Sequence, residues 1–210
     1  MPSKQELVKV PPETQSAPLS TKDHLIDVGL ELMRRHGYGA TGLQEILESA
    51  GVPKGSFYHH FGSKEEFAVA VIERYESLSV KHFQELLGQR RQSPLKGLRR
   101  YFEDLIRIAG QKARIQGCLL GSLTLEIASS SPMLQQRLSS GFVLWQSAVA
   151  SVLQEAVDKG ELPRSVKPDA LAGFVINSWE GALLRSQADK SDDPLKHFLR
   201  YTFDELLAHQ

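Results

Sequence analysis

The segment Val52-Pro53-Lys54-Gly55-Ser56-Phe57-Tyr58-His59-His60-Phe61, followed by Ser63-Lys64-Glu65-Glu66-Phe67, constrains the fold of this chain more than any other. Before it, Leu43, Ile46, Leu47 and Ala50 fall on one face of a short helix. Gly51 ends that helix, and Pro53 suits the first turn of the next because its missing N–H has no partner there. Two short helices joined by a tight glycine turn predict a helix-turn-helix, whose second member enters the major groove of DNA. From Val52 to Lys64 the chain carries Lys54, His59, His60 and Lys64 and no acid, while Phe57 and Phe61 supply an inward face. Lys54 can donate to guanine O6 and N7, Ser56 can donate or accept, and Gly55 lets backbone approach a phosphate or base edge. Tyr58, His59 and Lys64 are candidates for phosphate contacts.

Net charge gives no support to nucleic-acid binding. The chain has 25 basic and 25 acidic residues, and the stretch Thr21 to Glu66 has five basic against seven acidic ones. Binding must then rest on local placement of a few cations and backbone N–H groups, with a moderate salt dependence. Met1 to Ser20, with four prolines and balanced charge, reads as a disordered arm.

The rest reads as all-helical. Ser20 with Asp23, Thr41 with Gln44, and Ser63 with Glu66 pair a hydroxyl with an acceptor three residues on, the pattern of a capped helix start. Ser93-Pro94, Ser131-Pro132 and Asp193-Pro194 put a capping residue before proline. With weaker starts at Gly117-Cys118 and Pro168, these predict about nine helices. Leu25, Val28, Gly29, Leu32 and Met33 follow helical spacing, as do Phe67, Val71, Tyr75, Leu78 and Phe83. The segments Gly88 to Ser93 and Lys159 to Lys167 are the clearest loops. Hydrophobic residues make up 41% of the chain, enough for a substantial core. No apolar run approaches the roughly 18 to 20 residues of a membrane span, and a signal-peptide pattern is missing, so a cytoplasmic protein is expected. A single cysteine allows no internal disulfide and no Cys-rich zinc site, and His59 and His60, being adjacent, lack ligand spacing; neither a metal nor a cofactor is expected. The chain has no Gly-rich phosphate loop and no Gly-Xaa-Ser-Xaa-Gly elbow, which argues against an enzyme. A helical interaction module that does not bind DNA is the better rival.

Thr21 to Gly37, Thr41-Gly42-Leu43-Gln44-Glu45-Ile46 and Pro53 to Phe61 with Lys64 together resemble the TetR family of transcriptional regulators. The resemblance implies a three-helix DNA-binding domain over residues 21–66, with Thr41 joining the DNA contacts, and a helical effector-binding and dimerisation domain over 67–210. The boundary falls inside a long helix from about Lys64 to Leu87 that connects the two. Gly117-Cys118-Leu119-Leu120-Gly121 and Trp179-Glu180-Gly181-Ala182-Leu183-Leu184-Arg185 resemble the AcuR/NemR branch, which holds acrylate- and electrophile-responsive regulators.

Two effector triggers follow. Cys118 is expected near a helix N-terminus, where unpaired N–H groups and the helix dipole favour a reactive thiolate; a small buried hydrophobe is the alternative. Gln187 aligns with a lysine of the electrophile sensor, so a cysteine–lysine partnership has no counterpart here. Arg185 could instead form a fork for a small carboxylate, near Glu180 and with Trp145 and Trp179 walling the pocket; alternatively it ends its helix at the surface and both tryptophans are core. Leu171, Phe174, Val175, Phe198, Tyr201 and Leu206 lie on helices apolar around much of their circumference and are candidates for a homodimer interface as well as the core. A two-fold dimer would present two recognition helices to a pseudo-palindromic operator.

Overall fold

The hydroxyl of Ser20 accepts from the backbone N–H of Asp23 at 3.1 Å, and from that cap the first helix runs. The computed structural model describes residues 20–88, 93–110 and 117–208; most of the expected N-terminal arm and the middle of the expected loop from 88 to 93 lie outside them. Among the described residues there are nine α-helices and no strand: α1 (Thr21–Ala40), α2 (Leu43–Ala50), α3 (Lys54–His60), α4 (Lys64–Leu87), α5 (Pro94–Gly110), α6 (Leu119–Ile127), α7 (Pro132–Asp158), α8 (Pro168–Asp189) and α9 (Asp193–Leu199). The last continues directly into a π-helical stretch, Arg200–Leu206.

Ser63, Ser93 and Ser131 cap α4, α5 and α7 through their hydroxyls, each accepting from the N–H three residues on. Three expected starts shift. Thr41 is fully buried and its hydroxyl donates to the Gly37 carbonyl at 2.6 Å, leaving Gly42 to begin α2. Pro53 is the cap of α3 and not its first helical residue, and Asp192, not Asp193, precedes α9. Gly51, at φ 63°, supplies the left-handed turn between α2 and α3.

The head, α1 to α3 with the start of α4, closes on aromatic rings. Phe57 lies 5.3 Å from Phe61 and 5.2 Å from Phe67, ring centre to ring centre, and all three are buried together with Leu25, Ile46 and Ile72. Near its end α1 breaks: Gly37, at φ 81°, turns the chain so that the N–H groups of Tyr38 and Gly39 donate to the carboxylate of Glu126 on α6. The Glu126 contact ties the head to the body.

The body packs α7 along α8 and closes around Phe102, Trp179, Phe198 and Phe203, with Trp179 5.3 Å from Phe102 and 5.4 Å from Phe198. That cluster divides the residues expected at the core or the dimer surface. Val175 and Phe198 are buried within a single chain, Phe198 against Phe102 of α5 and Trp179 of α8. Leu171 and Leu206 are half-buried, while Phe174 and Tyr201 remain exposed.

Candidate DNA-reading helix and effector cavity

Helix α3 separates its two faces by one-turn spacing. Phe57 and Phe61 point into the head core, and Lys54 and Tyr58 stand together on the outside, with the Lys54 ammonium 5.9 Å from the Tyr58 ring centre. Gly55 and His59 are exposed with them, and Ser56 is half-buried. A Cβ built at Gly55 meets no protein atom within 4 Å, so the chain itself does not require glycine there.

Two residues expected at that surface are elsewhere. Thr41 is sealed beneath the end of α1 and offers its hydroxyl to no external group. Lys64 donates to the Tyr38 carbonyl at 2.6 Å and lies 4.2 Å above the Tyr38 ring, half-buried, with its pKa lowered by desolvation. It staples the start of α4 to the end of α1.

Below the head lies a cavity of about 540 Å³, within the range of small-molecule sites. Its walls include Tyr75 and Phe83 from α4, Tyr101 from α5, Trp145 from α7 and Trp179 from α8, with Cys118 at the start of α6. Arg34 of α1 reaches it from the head. Both tryptophans of the chain are therefore in its wall. Burial raises the phenols of Tyr75 and Tyr101 well above their usual range, so both are neutral donors. Arg34, Tyr75, Tyr101 and Phe83 carried no pattern in the sequence that distinguished them from ordinary helix-face residues. Their convergence is tertiary.

Cys118 is the residue before α6, as its position after Gly117 suggested, yet it is buried and its thiol is pushed up to about 12. Desolvation is the main cause, and the charge of Glu180 adds to it. These outweigh the helix terminus, so the expected thiolate is replaced by a neutral thiol with the Tyr75 hydroxyl 3.7 Å from its sulfur. Glu180 packs against Gly121 beside Cys118, its own carboxyl raised by burial and one oxygen without a partner. Arg185 is not in the cavity: it is exposed and bonded to Asp189 at 2.9 Å, one turn along α8. A carboxylate fork from Arg185 and a pocket walled by the tryptophans are thus separate places. Among the described residues no cluster of side chains could hold a metal ion, and no helix is long and apolar enough to cross a membrane.

Residues 25–71 match the family described as bacterial regulatory proteins, tetR family, and residues 94–202 match the tetracyclin repressor-like C-terminal domain. The chain is 33% identical to the HTH-type transcriptional repressor DhaR of Mycobacterium sp. GP1, covering 89% of this chain and 92% of that one. It is 35% identical to the transcriptional regulator AcuR of Cereibacter sphaeroides, covering 84% and 80% of the two chains. Among solved structures, the reduced form of Escherichia coli NemR superposes with a TM-score of 0.82 at 29% identity over 88% of this chain and 95% of that one. A TetR regulatory protein from Rhodobacter sphaeroides gives 0.80 at 34% identity, covering 87% and 96%. These relatives are transcriptional regulators and not enzymes. With one match over the head and another over the body, the protein belongs to the TetR family of DNA-binding transcriptional regulators.

Proposed function

We propose that the protein is a repressor that leaves its operator when a small organic effector fills the cavity beneath the DNA-binding head. The observation that carries this reading is the wall of that cavity: Arg34 belongs to α1 of the head, and Tyr75 to Gln84 belong to α4, whose first turns pack on the recognition helix through Phe67. An effector that binds the two arrangements of α4 with different affinity shifts the population between them; one that binds both equally shifts nothing. Lys54, Gly55, Ser56, Tyr58 and His59 are the DNA-facing set, and a homodimer formed along α8 and the C-terminal segment, where Phe174 and Tyr201 are exposed, would place two such helices on a pseudo-palindromic site. A small carboxylate or a reactive carbonyl compound fits the cavity's mixture of aromatic walls and donors. The covalent alternative through Cys118 is disfavoured by the burial and neutrality of its thiol.

The two tryptophans give the test its readout. Candidate acids and carbonyl compounds that release operator DNA should change tryptophan fluorescence at the same concentrations, without adding mass to the chain. Release of DNA with both tryptophans undisturbed would place the effector elsewhere.

The DNA-facing set is tested on its own. Lys54→Ala should weaken operator binding by about 1 to 3 kcal/mol and relax sequence preference if Lys54 reads a base, or weaken all sequences together if it meets phosphate. Tyr58→Ala should also weaken binding, with helicity and dimer mass unchanged in both. Full affinity in both variants would remove α3 as the reading helix.

A further inference from the structure

The charged groups of the cavity do not balance within the chain. Glu76 is held by the guanidinium of Arg137 through Oε2, its Oε1 being buried without a donor, Glu155 is held by Lys159 at 2.7 Å, and His82 lies 3.0 Å from a carboxylate oxygen of Asp104. Arg34 remains. It has no ion pair and no hydrogen bond among the described residues, and its Nε–H is buried without an acceptor. The indole N–H of Trp145, in the same wall, is directed to the Tyr101 hydroxyl. A guanidinium is permanently cationic, and leaving its buried Nε–H unmet is costly, so the cavity beside this half-buried side chain favours a guest that brings negative charge and acceptor oxygens. The remaining wall, with Tyr75, Phe83, Tyr101 and Trp179, asks for an apolar or aromatic body.

We propose that the effector is an organic carboxylate with an apolar body, and that Arg34 is the residue that binds its carboxylate. This rests on the cavity being the effector site. Its consequence is mechanical: Arg34 is carried by α1 of the DNA-binding head, whereas the aromatic walls belong to α4, α5, α7 and α8. One ligand would grip the head by its charge and the body by its apolar part, and so discriminate between arrangements of the two.

The test uses the full chain, with benzoate and trans-cinnamate as acids and benzamide and cinnamamide as their neutral counterparts of similar shape, titrated against tryptophan fluorescence and operator release. A charge-assisted bond to a half-buried guanidinium predicts that the acids bind at least about tenfold tighter than their amides. Arg34→Gln should bring acid affinity down to that of the amide and leave the amide unchanged. Arg34→Lys should fall between, having the charge without the planar fork. Unfolding of Arg34→Gln, seen as lost helicity, moves the decision to the wild type, where raised salt should weaken the acids and spare the amides. Acid preference retained in a folded Arg34→Gln, or absent from the wild type, overturns the role of Arg34 and leaves the cavity reading standing. If no acid or amide disturbs either tryptophan or frees DNA, the cavity reading and the proposal fall together.

Discussion

In the native protein, Cys118 should react with iodoacetamide near pH 7.5 on the order of a hundredfold more slowly than free cysteine. A thiol at about 12, against an ordinary value near 8.5, has a thiolate fraction lower by about three orders of magnitude. A more basic thiolate is the stronger nucleophile, which recovers about one and a half of those orders. Burial of the sulfur slows the reaction further. The rate should climb with pH through the alkaline range, since the thiolate alone attacks and its population grows until pH passes the raised pKa. Denaturant should restore ordinary reactivity. Intact-mass kinetics give the measurement directly, and modification as fast as free cysteine at neutral pH would overturn the assignment of a neutral, shielded thiol and reinstate a thiol sensor.

Phe57→Ala is expected to cost about 3 to 5 kcal/mol, as removal of a fully buried aromatic ring does. Phe57 is 1% exposed and touches both Phe61 and Phe67, so the cavity left behind lies where α3 meets α4. Operator affinity should fall by two or more orders of magnitude, because α3 is seven residues long and has no stability apart from that packing. Hydrogen exchange should show lost protection over α2 and α3 while α7 and α8 keep theirs. Undiminished operator binding by Phe57→Ala would mean that α3 is held by something other than this aromatic cluster.

The helix-turn-helix was legible because its signals are local. Apolar spacing over Leu43 to Ala50, a left-handed glycine at 51, proline at 53 and paired aromatics at 57 and 61 each act within one or two turns of the chain. The serine caps at 20, 63, 93 and 131 were readable for the same reason. Thr41 misled because a hydroxyl three residues before glutamine satisfies the capping pattern, while the structure uses that hydroxyl to close the turn opened by Gly37. Lys64 misled in the same way: its position beside the reading helix is local, but its partner, the Tyr38 carbonyl, comes from the other end of the head.

What the sequence determined by itself was the helical class, the helix-turn-helix whose second helix sets Phe57 and Phe61 opposite its polar groups, and the family that such a head implies. Only the tertiary structure decided where charge and reactivity reside. Cys118 sits at a helix start, as expected, yet desolvation by the packed body outweighs the dipole of α6 and keeps the thiol neutral. Arg185, a cation expected to hold a ligand, pairs with Asp189 one turn away in solvent. Arg34, which no pattern singled out, lines the cavity with a buried Nε–H that has no acceptor among the described residues. Periodicity and caps are interactions between near neighbours along the chain. Desolvation and charge pairing are sums over everything that packing brings close, and they exist only once the chain has folded.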